Sequence, residues 1–118
     1  DEAARAARAA GQRALEASAD ALAARIGLGL DRVDLALARS ERALATRDEV
    51  GIVGEDEGEI FVARMEALVR AGRQPEADEV RARGAERVRA MAAGITDAGW
   101  RGHFERGVEA HRLLLGEG

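Results

Sequence analysis

Few side chains of this sequence are suited to binding a metal ion. Its two histidines, His103 and His111, are eight positions apart. Neither has a carboxylate three or four positions away, the spacing with which helical metal sites bring their ligands together. We therefore expect no metal site and no bound cofactor, with His111 as a packed or capping residue and His103 as a surface residue.

The acidic run of Glu55, Asp56 and Glu57, followed by Glu59, suggests calcium at first sight. It lacks the alternating oxygen ligands and the terminal glutamate of a twelve-residue calcium loop. Acidic residues are also favoured in the first turn of a helix, where free N–H groups carry partial positive charge. The run therefore predicts the beginning of a helix.

Nucleophilic catalysis has no candidate residue in the sequence. The hydroxyl residues are Ser18, Ser40, Thr46 and Thr96, and none has a histidine nearby in the sequence. The chain has no cysteine, which excludes thiol catalysis and a disulfide framework and agrees with a cytoplasmic location. We therefore expect a protein that is not an enzyme.

The charge pattern argues against nucleic acid and membranes as partners. The formal net charge is −4, all 18 basic residues are arginine, and acids and arginines are interleaved along the chain. Such interleaving is typical of a solvated helix surface and not of a basic stripe that binds phosphates. The apolar runs are also far shorter than the 18 or more residues that a membrane helix needs.

Apolar residues at helical spacing predict an all-α fold. Leu22 and Ile26 are expected to face inward from a short helix that ends near Leu30, and Val33, Leu37 and Leu44 share one face of the next helix. Phe61, Met65 and Leu68 share the inward face of a third helix. Trp100, Phe104 and Val108, spaced by four residues, form the stripe with which a closing helix would pack on the array and seal its end.

Capping residues set the expected boundaries, with Asp20, Asp31, Asp56 and Thr96 as N-caps. The expected single domain, 1–118, comprises one helix of a preceding hairpin (1–18), two hairpins (20–47 and 56–93) and one or two closing helices (96–115).

One segment of the chain is echoed 41 positions away. Residues 72–77, Gly-Arg-Gln-Pro-Glu-Ala, contain a helix stop, a tight turn and a new helix, and residues 31–36, Asp-Arg-Val-Asp-Leu-Ala, correspond to them. Gly72 is expected in the left-handed conformation and Pro75 in the first turn of the next helix. Repetition at this period predicts antiparallel hairpins stacked as an array.

The hairpins resemble tetratricopeptide repeats, in the longer form found in large bacterial signalling proteins. The resemblance is carried by small residues at the helix crossings, Ala36 and Ala77, and by the Gly-Arg turn followed by Glu-Ala. The closing segment resembles the one that often follows the last repeat in such proteins, through Ile95, Asp97, Arg101, Phe104, Val108, His111, Leu114 and Leu115. Glu109 stands where that family usually has proline, so the sequence does not decide whether the closing segment is one helix or two.

The resemblance implies a superhelix of hairpins, attached to a bacterial Ser/Thr kinase or an ATPase-type transcriptional regulator. It places a groove for a peptide segment or a sister domain on the first helices of the hairpins, with Arg25, Arg64 and Glu66 as candidate polar contacts. The chain would then be a non-catalytic scaffold for protein–protein interaction or intramolecular regulation.

Two further expectations concern other surfaces. The chain could instead be a small helical bundle, natural or designed, that binds an apolar ligand or cofactor near Trp100, Phe104 and His103. This alternative is motivated by the absence of lysine and by the concentration of aromatic residues in the closing segment. Residues 2–18, rich in alanine at every helical register, would favour association with a second copy of the chain.

Overall fold

The computed structural model describes residues 1–51, 57–106 and 108–116. Six helices and no strand occupy these residues, which confirms the all-α prediction. The helices are α1 (Glu2–Gly29), α2 (Val33–Val50), α3 (Glu57–Arg70), α4 (Gln74–Ala93), α5 (Ala98–Arg106) and α6 (Glu109–Leu114). The N-cap predicted at Asp56 lies outside the described residues.

Contacts along the first three helices define their directions. The Arg13 guanidinium, in the first half of α1, donates to the Glu49 carboxylate near the end of α2, at 2.6 Å. The other end of α1 lies against the beginning of α2, where Gly27 approaches Ala36. α1 and α2 are therefore an antiparallel hairpin.

α3 runs antiparallel to α2, because Glu57 at its beginning meets Arg47 of α2 and Arg64 further along meets Leu37. It runs parallel to α1, since Glu59 meets Arg25 and Arg70 meets Leu28. After a tight turn α4 packs back against α3 as the second hairpin, with Gly84 beside Phe61.

The two hairpins turn in the same way, 41 residues apart. Asp31 and Gly72 both have a positive φ, 59° and 77° respectively. In each turn the next residue donates its N–H to the carbonyl five positions back: Arg32 to Gly27 at 2.7 Å, and Arg73 to Leu68 at 2.9 Å. This bond closes a Schellman motif at the end of each first helix. The predicted conformation of Gly72 is confirmed, and Pro75 lies in the first turn of α4 as expected.

Asp31 is not the N-cap of α2, so that prediction was wrong. The helix begins at Val33, and its N-cap residue, Arg32, makes no side-chain capping bond. Asp31 instead occupies the left-handed position that Gly72 has in the second turn. Its carboxylate accepts a hydrogen bond from Arg70 at the end of α3, and this contact links the first turn to the second hairpin.

The predicted boundary between residues 18 and 20 was also wrong, because α1 is continuous from Glu2 to Gly29. Asp20 is buried in the middle of this helix and accepts hydrogen bonds from two arginines of α2, Arg39 at 3.1 Å and Arg42 at 2.7 Å. The bond from Arg42 contributes most to holding the pKa of the Asp20 carboxyl below its ordinary value. An ion pair to another helix, rather than a capping bond, satisfies this side chain.

The core changes in character along the molecule. Between α1 and α2 it consists mainly of alanines, among them Ala17, Ala24, Ala36 and Ala43, each with no exposed surface. Around α3 it contains the largest fully buried apolar side chains, which are Phe61, Ile60, Leu68 and Leu114. Helices packed through alanine approach closely, and the bulkier part of the core lies where the second hairpin meets the closing helices.

The closing segment is two helices, which answers a question that the sequence left open. α5 ends at Arg106, and α6 begins at Glu109 after Val108, whose backbone is extended. Asp97, not Thr96, caps α5, since its side chain accepts a hydrogen bond from the Trp100 N–H at 2.9 Å. α6 packs against α3 and α4.

Candidate functional site

An ion-pair bridge joins α1 to α3 across the surface where the two helices lie side by side. Arg25 of α1 donates from Nη1 to Oε2 of Glu59 at 2.8 Å, and its Nε lies 3.2 Å from Oε1 of Glu66. The three side chains are each between a third and a half exposed. Arg25 and Glu66 were predicted as polar contacts of a groove, and the structure brings these two together.

Two cavities lie along the same helix pair. One, of about 350 Å³, includes Ser18, Leu22, Arg25 and Glu59 among its lining residues. The other, of about 320 Å³, is lined by Leu28, Gly29, Met65, Glu66, Val69 and Arg70. We call this surface the α1–α3 groove, defined by the lining residues of the two cavities. Leu22 and Val69 are exposed within it, so each cavity has an apolar side chain open to solvent.

Arg64, the third predicted contact, lies elsewhere. It is buried, and its Nη1 donates to the Leu37 carbonyl at 3.0 Å and to the Ser40 hydroxyl at 3.3 Å. Burial is the main cause that lowers the pKa of the Arg64 guanidinium from its ordinary value. The side chain joins α3 to α2 and is not open to a partner. The residue in the sequence that could have indicated this position of Arg64 is Ser40, because a hydroxyl on a buried helix face needs a polar partner.

A buried carboxylate, which the sequence placed only in the acidic first turn of a helix, lies at the beginning of α3. Glu57 is almost completely buried, and its Oε1 accepts hydrogen bonds from Arg47 of α2 and from Arg87 of α4. Arg47 and Arg83 also lie over the Phe61 ring, with guanidinium carbons 5.1 and 5.7 Å from its centroid. This cluster connects three helices, and its three arginines are paired with two carboxylates, those of Glu57 and of the more exposed Asp48.

The aromatic residues of the closing segment do not form one inward stripe. Trp100 is 70 % exposed and meets the exposed His103 edge to face, with ring centroids 6.2 Å apart. Phe104 packs instead on His111, at 4.3 Å between centroids. The expected position of His103 at the surface is confirmed, whereas the expected inward position of Trp100 was wrong.

His111 is a packed and capping residue, as predicted. It is buried, and its Nδ1 lies 2.7 Å from the carbonyl oxygen of Phe104 near the end of α5. The N–H at Nδ1 donates to that carbonyl, which lies in the last turn of α5 and lacks a helical partner there. The side chain thus stabilises the bend between α5 and α6.

No group of three or more metal-binding side chains occurs among residues 1–51, 57–106 and 108–116. Within the same residues, no helix is long and apolar enough to cross a membrane.

Comparison of the chain with protein-family models, with curated proteins and with solved structures gives no match. The resemblance to tetratricopeptide repeats stays a prediction.

Proposed function

We propose that this chain is a non-catalytic helical-repeat scaffold, similar to tetratricopeptide repeats, which binds a protein segment in the α1–α3 groove. The observation that carries the proposal is the repeated geometry of the two hairpins. Their left-handed residues, their Schellman bonds and the first residues of their second helices are all separated by 41 positions. A repeat of this kind places equivalent first helices side by side, and the groove lies between them.

The chemistry of the groove favours a particular kind of segment. Its two cavities offer space for apolar side chains. Leu22 lines the first cavity and Gly29 the second, and the seven-residue step between them along α1 separates the cavities by about 10 Å. Between them lie one arginine and two glutamates, so the central charge is negative. We therefore expect two apolar anchors with a basic residue between them.

The proposal extends to the setting of the scaffold. By its resemblance, the chain belongs with a bacterial signalling protein in the cytoplasm, where it takes part in protein–protein interaction or intramolecular regulation. The bend between α5 and α6 supports this, because it falls at the point of the resembling segment where a turn is usual, although Glu109 replaces the proline.

The other prediction, an apolar ligand or cofactor held near Trp100, Phe104 and His103, is less favoured. Trp100 and His103 are exposed, and Phe104 packs on His111. These positions give a small apolar molecule little enclosed contact surface.

Selection from a random peptide library displayed on phage tests the proposal. The selected peptide is titrated calorimetrically into the unmodified chain, into Val69→Glu and into Trp100→Glu. Both variants replace an exposed apolar side chain with a charge, but only Val69 lines the groove. We expect Val69→Glu to weaken binding at least about tenfold and Trp100→Glu to leave it unchanged. The opposite pattern would favour the aromatic surface of the closing segment, and a library that yields no saturable binder would count against the scaffold.

A further inference from the structure

The outward face of α1 carries bulky apolar side chains. Leu15, Leu22 and Ile26 are 72 %, 61 % and 55 % exposed, and Ala19 lies between them with its own exposed surface. The four positions are spaced by 4, 3 and 4 residues, so they form one straight seam along the helix. We call these four residues the α1 seam.

The opposite face of α1 is made of small residues. Ala17, Ala21 and Ala24 are buried against the rest of the molecule, and 3.6 residues per turn place them on the far side of the helix from the α1 seam. The helix is therefore apolar on both sides, with the larger side chains outside. A helix with this distribution is normally covered on both faces.

We propose that the α1 seam is the contact between two copies of this chain, with their α1 helices antiparallel. The pairing follows from the spacing. When Leu15 lies opposite Ile26 of the partner subunit, Ala19 lies opposite Leu22 of the partner subunit, and the two-fold axis repeats both contacts. Every layer of this register is apolar, and the small Ala19 receives the large Leu22, which is the arrangement that lets two helices pack closely.

The charges beside the α1 seam are compatible with this register. Glu16 comes to lie beside Ala23 of the partner subunit, and Arg25 beside Ser18 of the partner subunit, so no like charges face each other.

The ends of the helices add complementary charge. The same register places the exposed Arg8 opposite Val33 of the partner subunit, about one helical turn past the end of the partner's α1, whose last turn has no basic residue of its own. Asp31 in the turn that follows α1 and Asp34 in the first turn of α2 have side chains 88 % and 84 % exposed, and each already pairs with an arginine of its own chain, Arg70 and Arg32 respectively. The complementary charge for Arg8 is therefore the negative end of the partner's α1.

The proposed contact is small, and this sets the expected affinity. One helix from each copy gives an area at the low end of specific interfaces, so we expect a dimer with a dissociation constant on the order of 10 μM. The α1 seam shares Ala19 and Leu22 with the first cavity of the α1–α3 groove, so a second copy of the chain and a protein segment would compete for that part of α1. The seam is carried by the bulky side chains of α1 and extends beyond residues 2–18, the alanine-rich surface that the sequence suggested.

Sedimentation equilibrium of the 118-residue chain, over a range from about one to several hundred micromolar, tests the contact. We expect a monomer–dimer equilibrium that Ile26→Glu weakens by at least about 100-fold, since the symmetry places the new charge twice in the interface. Trp100→Glu is the control, because it removes an exposed apolar side chain outside α1 and should leave the equilibrium unchanged. Circular dichroism checks that both variants retain their helices.

Crosslinking tests the register, since the chain contains no cysteine of its own. Leu15→Cys and Ile26→Cys chains are treated with a short bifunctional thiol reagent, separately and as a mixture. Efficient crosslinking in the mixture alone supports the antiparallel register. Crosslinking of each variant with itself would show parallel helices and overturn the proposal. A chain that stays monomeric at every concentration would also overturn the proposal, and it is the result expected if the α1 seam binds a helix of another protein. A dimer that Ile26→Glu does not weaken would overturn it as well.

Discussion

Gly84 provides a sharp test of how closely the second hairpin and the closing helices pack. This residue is buried in α4, where a Cβ atom would lie 2.8 Å from Leu114 Cδ2 and 3.0 Å from Phe61 Cβ. Leu114 is itself fully buried and cannot swing into solvent. Gly84→Ala therefore forces a shift between α4, α3 and α6.

The magnitude follows from two opposing effects. Alanine in a helix interior is favoured over glycine by about 1 kcal/mol. Overpacking of a well-packed core costs about 1 to 3 kcal/mol, and the two contacts at Gly84 place this site in the upper part of that range. We expect the free energy of unfolding to fall by about 1 kcal/mol. Gly11→Ala is the matched control, because Gly11 is helical and a Cβ atom added there would have no neighbouring atom within 4 Å.

Urea unfolding, followed by circular dichroism at low protein concentration, measures both variants. Gly11→Ala should leave the free energy of unfolding unchanged or raise it by up to about 1 kcal/mol. In Gly84→Ala combined with Leu114→Ala, the loss should be smaller than the sum of the single losses, because the second change removes the atoms that clash. If Gly84→Ala stabilises the protein as much as the control does, the close packing described for this site is wrong.

Three more predictions concern single side chains. Asp20→Asn should lower the free energy of unfolding by about 1 to 3 kcal/mol at pH 7, because it weakens the buried hydrogen bonds with Arg42. Folding lowers the pKa of Asp20, so its contribution to the free energy of unfolding is present above the unfolded pKa of about 3.9 and is lost as the pH falls through the folded pKa. The free energies of unfolding of the unmodified chain and of Asp20→Asn, measured with urea from pH 7 to pH 2, should therefore converge at low pH. Gly72→Ala should lower the free energy of unfolding by about 1 kcal/mol, because it places a side chain at a positive φ. Asp31→Gly removes such a side chain but also loses the exposed ion pair with Arg70, worth about 0 to 1 kcal/mol, so it should leave the free energy of unfolding unchanged or raise it by up to about 1 kcal/mol. Equal effects of the two changes in urea unfolding would contradict the repeated turn. Trp100→Ala should change the free energy of urea unfolding little, by less than about 0.5 kcal/mol, and a loss of several kcal/mol would mean that this side chain is buried.

The sequence predicted best where local chemistry decides the conformation. Gly72 and Pro75 act on their own backbone, through a permitted positive φ and a fixed negative one, so the second turn was predicted correctly. The first turn was predicted as a turn, but Asp31 was given the role of a cap. Aspartate is suited to both a cap and a left-handed position, and the neighbouring residues do not distinguish the two.

The sequence predicted poorly where a long side chain reaches another helix. Asp20 resembles a cap until Arg39 and Arg42 of α2 are brought next to it. Arg64 resembles a surface residue until its guanidinium is seen to reach Ser40. Such pairings depend on how helices are placed in space, and spacing within a single helix contains no information about them.

Helical phase was a second source of error. The first helix has alanine at every register, so periodicity did not identify its buried face. Leu22 and Ile26 were expected to face inward, and that prediction was wrong, because both lie on the exposed outer face of α1. In the closing segment, a stripe spaced by four residues assumes an unbroken helix. The bend before Glu109 resets the phase, and Trp100 consequently faces solvent while Leu114 is buried.

The central claim, that a protein segment binds in the α1–α3 groove, is tested most directly by nuclear magnetic resonance. The ¹⁵N-labelled chain is titrated with a peptide selected from the random library, and the amide shifts are mapped onto the helices. The proposed function predicts that the largest shifts fall in the part of α1 that contains Leu22 and Arg25 and in α3 between Glu59 and Arg70. Largest shifts in α5 and α6, around Trp100 and Phe104, would contradict it.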